Sequence, residues 1–437
     1  MFSTAMSVLA TLALLVMNFF QPLYTSHGVD SAQFQPTITD SMPTVIDAKL
    51  QVETVAEGLN FPSSMAFLGS DDILVTEKNN GTVQRIINGT IQPSPVLDIN
   101  VATRAERGML GIAIPEIDKS FSNNDAPRYV YLYFTESAQE KDSDGKARGE
   151  KSAGNHLYRY ELMDSKLSNA VQLLNLSNQK GFAHNGGALI IGPDNNLYIP
   201  IGDGDGYSNS TNFPLHTTEA QNVIGGGPPD STGGILTVTI EGLSYTNILG
   251  NAEPTSKYYA YGIRNSFGLD FDPITKYLWD TENGENYGDE INLVKPGFNS
   301  GWNKVQGKAP LAFNYSQLVS FDGKGKYRDP DFSWVETVAP TKIKFLNSDK
   351  FGDKYKNDMF VSDVKNGRIY HFDLNGKRDG LVLSAKLADK VADNDQEARG
   401  LIFGSGFGGI SDMDVGPDGY LYVLSFGKGS IYKISPK

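Results

Sequence analysis

The chain has 437 residues, no cysteine and a formal net charge of −13. Disulfides, zinc–thiolate sites and a cysteine nucleophile are excluded, and an acidic chain without a Lys/Arg-rich run is not built for nucleic acid. Hydrophobic residues at 39% and 46 glycines describe a folded chain rich in tight turns, which predicts many short strands.

From Ala5 to Phe20 the chain is almost wholly apolar, and no Lys or Arg precedes Lys49. The run is shorter than a membrane span. Residues 1–27 therefore read as a signal peptide, with an uncleaved N-terminal membrane anchor as the alternative. Residues 28–48 are polar and read as a flexible linker, and residues 49–437 as the folded domain. Asn-x-Ser/Thr sequons begin at Asn80, Asn88, Asn175, Asn209 and Asn314. Together with the leader they point to a secreted or extracytoplasmic location.

A single pattern recurs within the folded domain: a short aromatic or β-branched strand, a Gly/Asp/Asn turn and a second strand. Ile73–Glu77 is followed by Thr82–Ile86, Tyr129–Phe134 by His156–Tyr160, and Tyr277–Asp280 by Glu290–Val294. Asp358–Ser362 precedes Arg368–Phe372. Gly192-Pro-Asp194 leads through Leu197-Tyr198 into Ile199–Gly202, and Gly416-Pro-Asp418 leads through Leu421-Tyr422 into Val423–Ser425 and Ser430–Ile434. Six such units predict an all-β six-bladed propeller with four-stranded antiparallel blades. The alternative is a two-sheet β-sandwich. The stretches 138–153 and 207–229 read as inserts between strands. Loops at one rim of a propeller converge, so residues distant in sequence can share one site.

Three stretches carry chemistry. His184-Asn-Gly-Gly187 places one of only 5 histidines beside two glycines, which admit a close backbone approach by a ligand. Tyr261-Gly-Ile-Arg264-Asn265 puts a cation and an amide just before a strand. If the fold joins these, a base, a fixed cation and an amide share one site, which is equipment for taking a proton from an alcohol while charge develops on oxygen. The bland readings are a solvated imidazole in a turn and a surface ion pair. Glu282-Asn-Gly-Glu-Asn-Tyr-Gly-Asp-Glu-Ile-Asn292 is dense in oxygen ligands. It suits Ca²⁺ or is simply a solvated acidic turn. Gly202-Asp-Gly-Asp-Gly206 suits Ca²⁺ by the same logic. Gly-x-Ser-x-Gly, His-Glu-x-x-His and Gly-Lys-Ser/Thr phosphate-loop signatures are missing from the sequence.

Taken together, Gly58–Pro62, Glu106–Gly111, His184–Gly187, Gly192–Asp194, Ile201–Asp203, Arg264-Asn265, Gly288–Asn292, Gly301-Trp302 and Gly416–Gly419 resemble the soluble quinoprotein glucose/sorbosone dehydrogenase family, also called aldose sugar dehydrogenases. The resemblance runs from Val55 to Ile434. It implies a six-bladed propeller carrying pyrroloquinoline quinone (PQQ) and Ca²⁺, a sugar substrate oxidised at C1 to a lactone, and an external electron acceptor. It implies His184 as general base, with Arg264 and Asn265 beside the oxygen that becomes negative. Glu106, Asn283, Thr337 and Lys365 match cofactor contacts, and Gly284, Glu285 and Glu290 match the calcium ligands.

The sequence also departs from the family. Members that bind the quinone tightly carry Arg-x-Arg-Asp where this chain has Gly409-Ile-Ser411-Asp412. Two charge-assisted partners of the quinone carboxylates are thus replaced, with Arg107, Arg368, Arg399 and Lys428 as other cations that could take over. Asn299-Ser300-Gly-Trp302 stands for the family's Asn-Tyr-Gly-Trp. These departures leave two alternatives to a quinoprotein oxidoreductase, a non-catalytic extracellular binding propeller and a calcium-dependent lactonase-type hydrolase.

Overall fold

The computed structural model describes residues 41–115, 128–142, 152–177, 181–204, 217–243 and 246–437. The leader, most of the linker, the Asn209 sequon and parts of both inserts lie outside the described residues. Among those residues no helix is long and apolar enough to cross a membrane.

The two Gly-Pro-Asp turns show how local sequence builds the strands. In one, Gly192 N–H donates to Asn196 O, and the Tyr198 hydroxyl, from the following strand, donates to Asp194 Oδ2 at 3.0 Å. In the other, Gly416 N–H donates to Tyr420 O and the Tyr422 hydroxyl to Asp418 Oδ2 at 2.9 Å. The repeated motif is one turn used twice, with the acid and the tyrosine pinning strand to turn.

Hydrogen bonding divides the described strands into six sheets. Sheet I runs through Pro62–Gly69, Asp72–Glu77 and Thr82–Ile87; sheet II through Met109–Ala113, Arg128–Ser137, Ser152–Met163 and Lys166–Leu176. Sheet III holds Ile190–Ile191, Asn196–Ile201, Gly234–Thr239 and Tyr258–Tyr261; sheet IV holds Ser266–Phe271, Leu278–Glu282, Asp289–Val294 and Phe332–Trp334. Sheet V holds Pro340–Phe345, Met359–Asp363, Ile369–Leu374 and Ile402–Ser405. Sheet VI joins Ile410–Val415, Leu421–Ser425 and Ser430–Pro436 to Leu50–Glu57 from the other end of the chain.

The first strands of sheets I, II and IV to VI, with the first two of sheet III, touch in a closed cycle from sheet I through VI and back to I. Between each pair of neighbouring sheets lies one apolar cluster. Tyr133, Leu157, Leu197 and Leu236 fill the gap between II and III, and Trp279, Ile291, Ile343 and Met359 that between IV and V. Alternation along each strand makes this possible, because Leu197 and Ile199 face one neighbour while Tyr198 faces the other.

The fold is an all-β propeller. The expected six blades of four antiparallel strands are corrected in two respects. Counted as blades the propeller has five, although its hydrogen-bonded sheets number six. Only two of those sheets have four strands; the others have five or six. Phe298–Asn299 adds in parallel beside Tyr258–Tyr261, and Val391–Ala392 beside Phe332–Trp334. The inserts between strands return along open sheet edges and satisfy their backbone groups there.

Candidate functional site

His184 and Arg264 are brought together by the turn that leaves the second strand of sheet III. Gly202 N–H donates to His184 O at 3.1 Å, and Asp203 N–H donates to Arg264 O at 2.9 Å. One dipeptide therefore holds both backbones. His184 sits at φ 58°, a conformation that a side chain on this residue adopts only when its surroundings fix it. Its N–H donates to Glu106 Oε2 at 2.6 Å, and Glu106 Oε1 lies 3.5 Å from Asn265 Nδ2.

The imidazole is buried, and its Nδ1 lies 2.6 Å from Asp203 Oδ1. The other oxygen, Asp203 Oδ2, accepts the indole N–H of Trp302 at 2.7 Å. Burial pulls the His184 pKa down, but the charge and hydrogen bond of Asp203 outweigh it, and the net shift is upward. With Nδ1–H committed to Asp203, Nε2 is the nitrogen left to accept a proton.

Arg264 stands beside this pair. Its guanidinium donates to the carbonyls of Asn283 and Gly284, both at 3.0 Å, and lies 5.4 Å from the Trp302 ring centroid. Its backbone N–H donates to Glu282 Oε1 at 2.6 Å. The Asn265 and Asn283 Oδ1 atoms are buried without a hydrogen-bond partner. Two polar oxygens are thus left for a ligand next to a fixed cation.

Asp289 connects the rest. Its Oδ1 accepts Gly284 N–H at 2.9 Å, and its Oδ2 accepts Val338 N–H at 2.6 Å and Ala339 N–H at 2.8 Å. Burial raises the Asp289 carboxyl to about 6 against the pull of these donors. The loop it holds carries Thr337, whose carbonyl accepts from Lys365 Nζ at 2.7 Å. His184, Arg264, Asn265, Glu106, Asn283, Gly284, Thr337 and Lys365 therefore form one connected set.

The remaining expectations distribute differently. Glu290 lines one cavity with Arg264, Glu282, Asn283, Gly284 and Trp302. Its carboxylate is buried and takes Gly307 N–H at 2.7 Å, Asn292 Nδ2 at 3.0 Å and Ser300 Oγ at 3.2 Å. Glu285 is exposed and gives its N–H to Gln306 Oε1. Asp203, read from the sequence as a calcium candidate, is instead the partner of His184 and Trp302. Glu282 and Asp289 were read from the sequence only as part of the oxygen-rich stretch 282–292, without the structural roles they take here.

The residues fit a planar anion at the Arg264, Asn265 and Lys365 side. They offer no cation at the positions where the resemblance expects two arginines. Ser411 Oγ donates to Pro62 O at 2.7 Å. The candidate replacements are engaged elsewhere: Arg368 with Asp395, Lys428 with Ser41 O, and Arg107 with Gly181 O and the Phe182 ring. Arg399 is exposed and lies 3.9 Å from Asp395.

A model of the family described as glucose/sorbosone dehydrogenase matches residues 59–433. Aldose sugar dehydrogenase YliI of Escherichia coli is 32% identical over 193 residues, 42% of this chain and 44% of that protein. Quinoprotein glucose dehydrogenase B of Acinetobacter calcoaceticus is 28% identical over 263 residues, 58% of this chain and 52% of that protein. The PQQ-bound aldose sugar dehydrogenase of Streptomyces coelicolor superposes with a TM-score of 0.60 at 23% identity, over 91% of this chain and 100% of that one; at that identity the likeness speaks for the fold.

Proposed function

The chain belongs to the glucose/sorbosone dehydrogenase family, and we propose that it is a PQQ-dependent oxidoreductase that converts the C1 hydroxyl of an aldose to a lactone. The observation that carries the reading is the buried His184–Asp203 pair held against Arg264 by a single turn. We place this site at one mouth of the ring that the hydrogen-bonded sheets close.

When bound, the quinone supplies a carbonyl carbon that accepts a hydride, and calcium supplies a Lewis acid at the same carbonyl. Gly284, Glu285 and Glu290 would hold the metal; Arg264, Asn265, Asn283, Thr337, Lys365 and Glu106 would hold the quinone. The oxidation removes two electrons and two protons from the sugar carbon and its hydroxyl. His184 Nε2 takes the hydroxyl proton, and Asp203 stabilises the imidazolium that results. Arg264 faces the oxygen on which negative charge builds, and the Trp302 ring beneath it keeps water from that side. The electrons then pass to an external acceptor. We propose further, from the apolar run Ala5–Phe20, that the protein is secreted or extracytoplasmic.

The loss of cations at 409 and 411 favours a second reading, a propeller that binds a ligand without quinone. The test is a titration of metal-stripped full-length protein with PQQ and Ca²⁺, followed by absorbance and by dye reduction with aldoses. Saturable quinone binding, sugar-dependent reduction and its loss in His184→Ala support the first reading. Absence of quinone binding at any attainable concentration overturns it.

A further inference from the structure

The Asn-x-Ser/Thr sequons play no part in the oxidation, and the fold sorts the described ones by whether the asparagine and its hydroxyl partner can be reached. At Asn80 they cannot. Asn80 Oδ1 accepts from Asn60 Nδ2 at 3.2 Å. Thr82 is buried, and its Oγ1 donates to Glu77 Oε2 at 2.6 Å. Gly81 between them is buried too, and a Cβ on it would lie 1.9 Å from Ile99 O. A bulky group has no room against that turn.

The sequons at Asn88, Asn175 and Asn314 are built differently. Asn88 and Gly89 form the two-residue turn between Thr82–Ile87 and Thr90–Ile91, with Asn88 at φ 50°, as such hairpin turns require. Asn88, Gly89 and Thr90 are all exposed. Among the described residues neither the Asn88 amide nor the Thr90 hydroxyl is hydrogen-bonded. Asn175 is exposed near the end of Lys166–Leu176, and its Oδ1 accepts Ser177 N–H at 3.0 Å. Asn314 is exposed and caps the short turn Tyr315–Gln317; its Oδ1 accepts Ser316 N–H at 3.1 Å and Ser316 Oγ at 2.8 Å. In both, the amide oxygen folds back on the third residue of the sequon. Nδ2, the atom to which a glycan is joined, is left without a hydrogen bond among the described residues.

The surroundings give such a group something to cover. Lys166–Leu176 is the outermost strand of sheet II, and Val171 on it is exposed. An open edge with apolar side chains invites pairing with another chain. Asn314 stands beside Leu311 and Tyr315, which are also exposed.

We infer that Asn88, Asn175 and Asn314 are N-glycan acceptors and that Asn80 is not. In the transfer, a bond forms between Asn Nδ2 and C1 of a glycan carried on a lipid phosphate. The C1–O bond breaks, the lipid phosphate leaves with the electron pair, and an amide proton is released. Nothing is oxidised or reduced. The inference rests on the proposed extracytoplasmic location and not on the dehydrogenase reading.

The experiment expresses the full chain with its leader in an N-glycosylating host, and the protein is collected from medium and cells. Trypsin separates the four sequons onto residues 79–85, 86–104, 167–180 and 309–324, and each peptide is weighed before and after a glycosidase. Occupancy at Asn88, Asn175 and Asn314 is expected to exceed that at Asn80 by about tenfold or more. Ser316→Ala is expected to strip Asn314 alone. A second arm offers purified protein, folded or unfolded in urea, to an oligosaccharyltransferase with a lipid-linked glycan. Asn80 is expected to react only in the unfolded chain, and the other three in both. Protein in the medium that is bare at Asn88, Asn175 and Asn314 overturns the inference and leaves the location standing. Protein held in the cells and bare at all sites overturns both. Equal modification of Asn80 in the folded chain overturns the sorting.

Discussion

As the proposed base, His184 depends on Asp203, and the pair predicts a pH dependence. A base acts only when neutral, so the rate rises as pH passes upward through the imidazole pKa. Asp203 pushes that pKa above the ordinary histidine value against the pull of burial, so the acid limb of kcat is expected above about 6.5. In Asp203→Asn the raising charge is gone while burial and Arg264 still lower the value. The limb should then move to lower pH, and kcat should fall about 10²- to 10⁴-fold as the tautomer and orientation are lost. A pH–rate profile that does not shift would exclude the pairing. His184 and Arg264-Asn265 were legible in the sequence because glycines and a following strand flagged them. Asp203 carried a signal too, but it was read as a metal ligand. Its hydrogen bonds to His184 and Trp302 arise only when three separate loops meet, and no local spacing encodes that meeting.

At the level of strands and turns, the site depends on a residue with no side chain. A Cβ on Gly202 would lie 2.5 Å from Arg264 O, 2.6 Å from His184 Cβ and 2.8 Å from His184 O. Gly202→Ala must push His184 and Arg264 apart. It is expected to cost about 1–3 kcal/mol in urea denaturation and more than about tenfold in kcat, since small displacements of reacting groups are heavily penalised. Sheet IV offers a second check. Burial raises Glu282 to about 7 from an ordinary 4.5, so the folded state keeps a proton that the unfolded chain has released. Between pH 4.5 and 7 its contribution to stability therefore falls as pH rises. Glu282→Gln, which can still accept Arg264 N–H, should flatten that slope in melts taken across the interval. The second and third strands of the sheets stood out in the sequence because aromatic and β-branched residues alternate with polar ones. The inner strands did not: Met109–Ala113, Pro340–Phe345 and Ile410–Val415 mix Gly, Lys, Ser and Asp with apolar residues. Those polar residues pair between neighbouring sheets, as Lys344 does with Asp270 and Asp414 and Lys342 with Asp412, so they are at least half-buried without looking so.

The described residues from 41 onward form a ring closed by the pairing of Leu50–Glu57 with Ser430–Pro436, and that closure was invisible in the sequence, since the two segments carry no mark of pairing with each other. Their register runs from Leu50 opposite Pro436 to Glu57 opposite Ser430. The strand from the N-terminal side completes sheet VI, where Ala56 packs with Leu424 and Ile431, and Leu50 with Val423 and Ile434. Without it, sheet VI would have three strands and Ser430–Pro436 would become an open edge with an uncovered apolar face, an invitation to pair with another chain. Sheet VI also supports Asp412, whose carboxylate accepts from Ser64 Oγ and Met65 N–H of sheet I at 2.9 Å each, so loosening it loosens the neighbouring join. Removal of residues 41–57 is therefore expected to lower the melting temperature by about 10 °C or more, or to leave the chain aggregated. The loss should reach the site on the far side of the ring, because neighbouring sheets press on one another all the way round. Calorimetry and light scattering of the shortened chain check this, and an unchanged, single cooperative transition would show that the ring stays shut without its N-terminal strand.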